Sequence, residues 1–220
     1  MMAPVRGLLL LVMLAGCDGI FDIVGVDSVG GVDGGESPGL CASTQLRWTF
    51  DVDGAEPCDG KFGAVSQHDG ALYVTTDGSV SAGGCTVYTP IAFTANGVYT
   101  HVTEYFTPPS TYTTLKVRSN SDTQVPFDAT LSFEGGRLIL LTGGVEKGYI
   151  AAMPGWIRLR QLDGGSDIIG EYSADASTWT MVGRFTAALL PSTFAVDVTA
   201  GVNDMTTPAT AAYDELGICN

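Results

Sequence analysis

The chain of 220 residues is short of positive charge, with 10 lysines and arginines against 24 aspartates and glutamates and a formal net charge of −14. So acidic a surface repels phosphate backbones, which excludes nucleic acid as a partner and leaves neutral sugars, cations and basic proteins. Histidine is scarcer still: His68 and His101 are the two present. No pair of cysteines has the short spacing of zinc ligands, so a zinc site is not expected. No apolar run is long enough to cross a bilayer as a helix, and no segment carries the period of an amphipathic helix. The marks of common hydrolases are missing too. No Gly-x-Ser-x-Gly elbow surrounds a serine. Retaining glycoside hydrolysis needs two carboxylates about 5–5.5 Å apart, yet Glu56, Glu104, Glu134, Glu146, Glu171 and Glu215 are scattered, without acidic neighbours at strand spacing.

What is present begins at the N-terminus. Arg6 is followed by a short apolar stretch over residues 7–14, then by the small residues Ala15 and Gly16 and by Cys17. This arrangement resembles a bacterial lipoprotein signal, so residues 1–16 are expected to be removed and Cys17 to carry the lipid. The chain is therefore expected at the bacterial cell envelope, exported and held to a membrane through that anchor alone. Residues 18–40 are rich in Gly, Asp, Ser and Val without a sustained period. They read, with Cys17, as a flexible tether with a reach of roughly 25–30 Å.

With Cys17 assigned to the lipid, Cys41, Cys58, Cys85 and Cys219 remain. Four cysteines in an oxidising compartment suggest two disulfides. Three pairings are possible. Cys41 with Cys219 and Cys58 with Cys85 is favoured, because Cys41 precedes the first strand pattern and Cys219 follows the last, where antiparallel terminal strands would bring them together.

Within a domain of residues 41–220, the chain reads as β almost throughout from Gln45 onward. Runs rich in Thr, Val, Ile and aromatics recur at 46–50, 71–75, 85–89, 98–106, 113–117, 129–133, 137–141, 148–153, 156–161, 168–173, 178–185, 193–199 and 209–218. Turn pairs such as Asp69-Gly70, Asp77-Gly78 and Gly135-Gly136 separate them. So many strands in one span predict an all-β, two-sheet antiparallel sandwich. In Trp156-Ile157-Arg158-Leu159-Arg160, Trp156, Arg158 and Arg160 share one face and Ile157 and Leu159 the other, so one side packs inward.

The same segment carries a resemblance. A Trp-x-Arg-x-Arg strand, a Gly turn, a strand ending in Tyr-Ser, an Asp turn and a Trp appear here as Trp156, Arg158, Arg160, Gly164, Tyr172, Ser173, Asp175, Trp179 and Gly183. Over about 60 residues, including closing strands with Phe194 and the pair Tyr213-Asp214, the chain resembles concanavalin A-like, or laminin G-like, jelly-roll domains. The resemblance implies a concanavalin A-like jelly roll. Family members carry Gly after the turn Asp where this chain has Ala176, so a different hairpin turn is expected. The family also implies a structural calcium, with Asp214 at the matching position; a second acidic cluster, Asp51, Asp53, Glu56 and Asp59, offers further oxygen ligands.

Sugar binding on such a fold needs aromatic platforms flanked by polar groups, because a pyranose stacks its apolar face on a ring while its hydroxyls need directional partners. The candidates are Tyr105, Tyr112, Trp156, Arg158, Arg160 and Tyr172. Alternatively, Trp156 and Trp179 pack within the sheet and the arginines pair with Asp167 and Glu171. With no carboxylate pair in view, the expectation is a noncatalytic binding module for glycan, or else a structural or protein-interaction subunit of an envelope complex, and no enzymatic activity.

Overall fold

The computed structural model describes residues 40–219, apart from 42–43, 52–57, 77–80, 90–91, 94–96, 107–110, 120–126, 154, 163–164 and 203–207. The signal segment, Cys17, most of the tether, and Asp53, Glu56, Gly164 and the Asp77-Gly78 turn lie outside the described residues.

Every regular element among the described residues is a strand, and the strands form two antiparallel sheets. One runs β13 (Thr180–Thr186), β12 (Asp167–Ser173), β11 (Trp156–Gln161), β6 (Val98–Glu104), β15 (Ala209–Cys219), β4 (Ala71–Thr76), β3 (Ala64–His68). An eighth strand, β1 (Thr44–Trp48), pairs with the end of β15. The other sheet has seven strands, in the order β10 (Val145–Ile150), β9 (Arg137–Thr142), β8 (Asp128–Glu134), β7 (Thr111–Ser119), β14 (Phe194–Val202), β5 (Ala82–Thr89), β2 (Gly60–Phe62). This is a concanavalin A-like jelly roll: the two-sheet sandwich follows the strand pattern, and the jelly roll is what the resemblance implies. The thirteen runs read from sequence all fall on strands, while β2 and β3 escape because Gly-Lys-Phe is too short to show alternation and Ala64–His68 has a single buried position, Gln67.

The sheets face each other through one set of alternating positions. Leu115, Val117, Val196, Val198, Leu131 and Leu140 from the seven-stranded sheet meet Leu72, Val74, Ile157, Leu159, Tyr213 and Leu216 from the eight-stranded one. Each such side chain, taken from water to full burial, contributes roughly 1.5–3 kcal/mol before conformational entropy is counted. Tyr213 is wholly buried and its hydroxyl donates to the Thr199 carbonyl at 2.9 Å, so its polar atom is not left unpaired in the core. Tight two-residue turns close the hairpins: Asp69-Gly70, Gly135-Gly136 and Gly143-Gly144 all take positive φ at both positions, which matches the right-handed twist of the flanking strands.

Disulfides join Cys41 to Cys219 and Cys58 to Cys85, with α-carbons 5.4 and 5.1 Å apart. The first ties the chain ahead of β1 to the last residue of β15, the two strands that pair antiparallel. Leu40, counted with the tether from its sequence context, is buried beside Tyr99, Ala176 and Cys219. At the turn, Ala176 takes φ +61°, the left-handed conformation that a glycine would take at no cost, while its methyl packs with Leu40 and Tyr99.

Candidate functional site

The inward positions fill the core, so anything the domain does falls to the two outward faces. On the seven-stranded sheet the register lays those outward residues in rows across β5, β14, β7, β8 and β9. One row reads Thr86, Asp197, Lys116, Thr130, Leu141, and the next Gly84, Thr199, Thr114, Ser132, Ile139. The rows to either side hold Tyr88, Ala195, Arg118 and Asp128, and Ala82, Gly201, Tyr112, Glu134 and Arg137.

Two glycines shape this face. The Phe62 ring lies over Gly84, where a Cβ would sit 2.7 Å from the ring and 2.7 Å from Thr199. The Tyr112 phenol lies over Gly201 in the same way. Both rings therefore rest on bare backbone. Phe62 is 48% exposed, Tyr88 47% and Tyr149 53%, so aromatic surface stands at the β2, β5 and β10 sides of a polar centre.

That centre is tightly bonded. Asp197 accepts from Thr86 Oγ1 at 2.6 Å and from Arg118 Nε at 2.7 Å. The bond to Asp197 holds the Arg118 guanidinium above the ordinary arginine value. Thr114 and Thr199 hydroxyls meet across the strands at 2.5 Å, and Ser132 donates to Glu134 Oε1 at 2.7 Å. Burial, then the nearby Glu134 charge, pushes the Tyr112 phenol above the ordinary tyrosine range. Outward from the five central strands come Lys116, Arg118 and Arg137 and, against them, Asp128, Asp197 and Glu134.

The carboxylates are far apart. With strands ~4.8 Å apart and a rise of ~3.3 Å per residue, the α-carbons of Asp128 and Asp197 are separated by ~12 Å and those of Glu134 and Asp197 by ~16 Å.

The opposite face, on the eight-stranded sheet, carries a different arrangement. Glu171 is 6% exposed and is gripped by Arg158 Nη2 and Nε at 2.8 and 3.0 Å and by Arg160 Nε and Nη2 at 2.8 and 3.1 Å. Trp179 covers Arg158, with the guanidinium carbon 3.9 Å from the ring centroid, and Arg158 Nη1 donates to the Leu40 carbonyl at 2.9 Å. Burial alone would raise the Glu171 carboxyl, but the bonds from Arg160 and Arg158 outweigh it and hold the group below its usual range. Burial pushes the Arg158 guanidinium down. Alongside, His101 stacks on Trp156 with ring centroids 4.3 Å apart and its Nδ1 lies 2.6 Å from Asp214 Oδ1.

The candidates named from sequence are thus divided among three places. Tyr112 alone lies on the face with the aromatic platform. Trp156, Arg158 and Arg160 are on the opposite sheet, where the arginines serve as the clamp on Glu171. Tyr105 is buried in the core against Phe133, at 4.6 Å between centroids, and burial raises its phenol; Tyr172 also packs toward the core. Divided in this way, the six do not form one platform. Asp214 is engaged by His101, Asp51 is exposed, and among the described residues no three potential metal ligands converge.

Phe62, Tyr88, Tyr149, Lys116, Arg118, Asp197 and Glu134 were not singled out from sequence. The alternation of Tyr112, Thr114, Lys116 and Arg118 with Thr113, Leu115 and Val117 held a signal for part of this face. Phe62 had none, since β2 was unseen.

No protein-family model matches the chain, and no curated protein matches it in sequence. Solved structures do match. A β-1,3-1,4-glucanase (lichenase) derived from a mouse hindgut metagenome is 15% identical, with 82% of this chain and 96% of that one covered and a TM-score of 0.52. The laminarinase catalytic domain of Thermotoga maritima MSB8 is 8% identical over 80% and 97%, with a TM-score of 0.58. The κ-carrageenase of Pseudoalteromonas carrageenovora, in complex with an oligotetrasaccharide, is 10% identical over 78% and 91%, with a TM-score of 0.54. At such identity the likeness establishes the jelly roll. It also corrects the expectation of a noncatalytic binding module, because these neighbours, matched over nearly their whole length, are glycan-cleaving enzymes. The scattered glutamates removed one arrangement of catalytic groups, not catalysis as such.

Proposed function

We propose that this chain is a glycan-active enzyme of the glycoside hydrolase jelly-roll class that takes its glycan across the outward face of the seven-stranded sheet. The observation that carries the reading is the pair of rings laid over glycine, Phe62 on Gly84 and Tyr112 on Gly201, beside a centre of charged and hydroxyl side chains. Flat aromatic surface receives the apolar face of a pyranose, and directional polar groups fix its hydroxyls. The named neighbours with this fold act on β-glucans and carrageenan, which supports a glycan as the partner.

The experiment is a reducing-end assay of the chain on laminarin, mixed-linkage β-glucan and κ-carrageenan. Release from at least one polymer, with KM raised tenfold or more in Tyr112→Ala, is expected. No release from any of the three by a folded chain overturns the enzymatic reading.

We also propose, from the N-terminal pattern that ends at Cys17, that a lipid on Cys17 holds the protein at the cell envelope. Cys17→Ser should move it out of the membrane fraction, and unchanged partitioning would overturn the anchor.

A further inference from the structure

Resting on the glycan reading above, we infer that the glycan is acidic and that Lys116 receives its carboxylate or sulfate group. Lys116 sits on the middle strand of the face, in register between Asp197 of β14 and Thr130 of β8, with Thr114 and Arg118 two residues away on the same side. Its natural counter-ion is already committed. Asp197 is bonded to Arg118 through both carboxylate oxygens, at 2.7 and 3.4 Å, and to Thr86. Among the described residues no carboxylate lies within ion-pair distance of the Lys116 ammonium. In a chain with more than two acidic residues for each basic one, an ammonium without a partner at the centre of a sheet face is the exception.

The surroundings of Lys116 fit an oxyanion. Hydroxyls from Thr130 and Thr114 are its neighbours in the register, and hydroxyl donors together with an ammonium satisfy the several lone pairs of a carboxylate or sulfate. The face as a whole supports this. The central strands present three cations and three carboxylates outward, whereas the whole chain carries −14. On this face a polyanion meets balanced charge, in a chain that is acidic as a whole. A neutral glucan offers the ammonium only hydroxyl oxygens, which are weaker acceptors than a carboxylate or sulfate.

The test is calorimetric titration of the full chain with three hexasaccharides: a neutral laminarin-type β-glucan, a carboxylated polygalacturonate and a sulfated κ-carrageenan fragment. Lys116→Met keeps the side-chain length and removes the charge, while Lys116→Arg restores the charge. Binding of one acidic oligosaccharide at least tenfold tighter than the neutral one is expected, with the preference weakened by raising NaCl from 50 to 500 mM. It should be lost in Lys116→Met and recovered in Lys116→Arg. The carboxylated and sulfated arms decide which acidic group is held. Equal binding of neutral and acidic sugars, unaffected in Lys116→Met, overturns the inference and leaves the glycan reading standing. Failure of a folded chain to bind any of the three overturns both. A thermal melt of each variant identifies misfolding, and a loss shared by Lys116→Met and Lys116→Arg at unchanged stability also overturns the inference.

Discussion

Replacing Glu171 by Gln should destabilise the domain by about 3 kcal/mol, although the side chain keeps its shape and touches no part of the proposed glycan face. Glu171 and Arg158 are 6% and 9% exposed, and Arg160 is partly exposed. Removing one partner of a buried ion pair typically costs about 3–5 kcal/mol, because the other charge is left uncompensated. The lower end applies here. With its amide oxygen where Oε2 stands, glutamine still accepts three of the four guanidinium bonds, and Arg160 can turn its remaining donor to water. For a domain of this size ~1 kcal/mol moves Tm by ~2–4 °C, so a drop of ~6–12 °C is expected, alongside a matching shift in a urea transition followed by tryptophan fluorescence. The pH dependence has a defined sign. Glu171 is held below its usual range in the fold, so the clamp contributes in full above the unfolded value of about 4.3 and is lost as pH falls through the folded one. The gap between native chain and Glu171→Gln should therefore close below about pH 4. A control tests the cause itself: Arg158→Met combined with Glu171→Leu removes the buried charges together and should recover most of the loss. A single-variant cost below about 1 kcal/mol, or a double variant no better than the single one, would refute the argument from uncompensated charge.

The two disulfides should differ in proportion to the loops they close. The Cys41–Cys219 bridge spans 178 residues and the Cys58–Cys85 bridge 27. Chain-entropy reasoning gives about 5 and about 3.5 kcal/mol for replacing each pair with Ser, measured by urea unfolding, and an equal or reversed order would count against unfolded-state entropy as the cause. At Ala176, Gly should be close to neutral. Relief of the left-handed strain, about 1–2 kcal/mol, is offset by about 0.8 for the lost buried methyl and about 0.5–1 for the added freedom of the unfolded chain. A gain above about 1.5 kcal/mol in the same assay would mean the methyl contributes no packing.

The sheets were legible because burial writes a period of two into each strand, and the segment from Trp156 to Arg160 shows it plainly: Ile157 and Leu159 are wholly buried and the residues between them face outward. The outermost cysteines were legible for a related reason, since a chain whose first and last strands pair must bring its ends together. Outward residues obey no such rule. Whether Arg158 meets a ligand or Glu171 depends on the register between β11 and β12, which sequence alone does not state. Tyr105 and Tyr172 looked like a platform because tyrosine is compatible with core and surface alike. The clearest case is the glycan face itself. Its two rings lie over backbone because Gly84 and Gly201 offer no side chain beneath them, and in a sequence with 29 glycines neither stands out. The pairing that gives each glycine its meaning joins Gly201 to Tyr112, and Gly84 to Phe62, a strand too short to be read. The site was hidden because its decisive feature is an absence of atoms opposite a ring, and only the register tells which absence faces which ring.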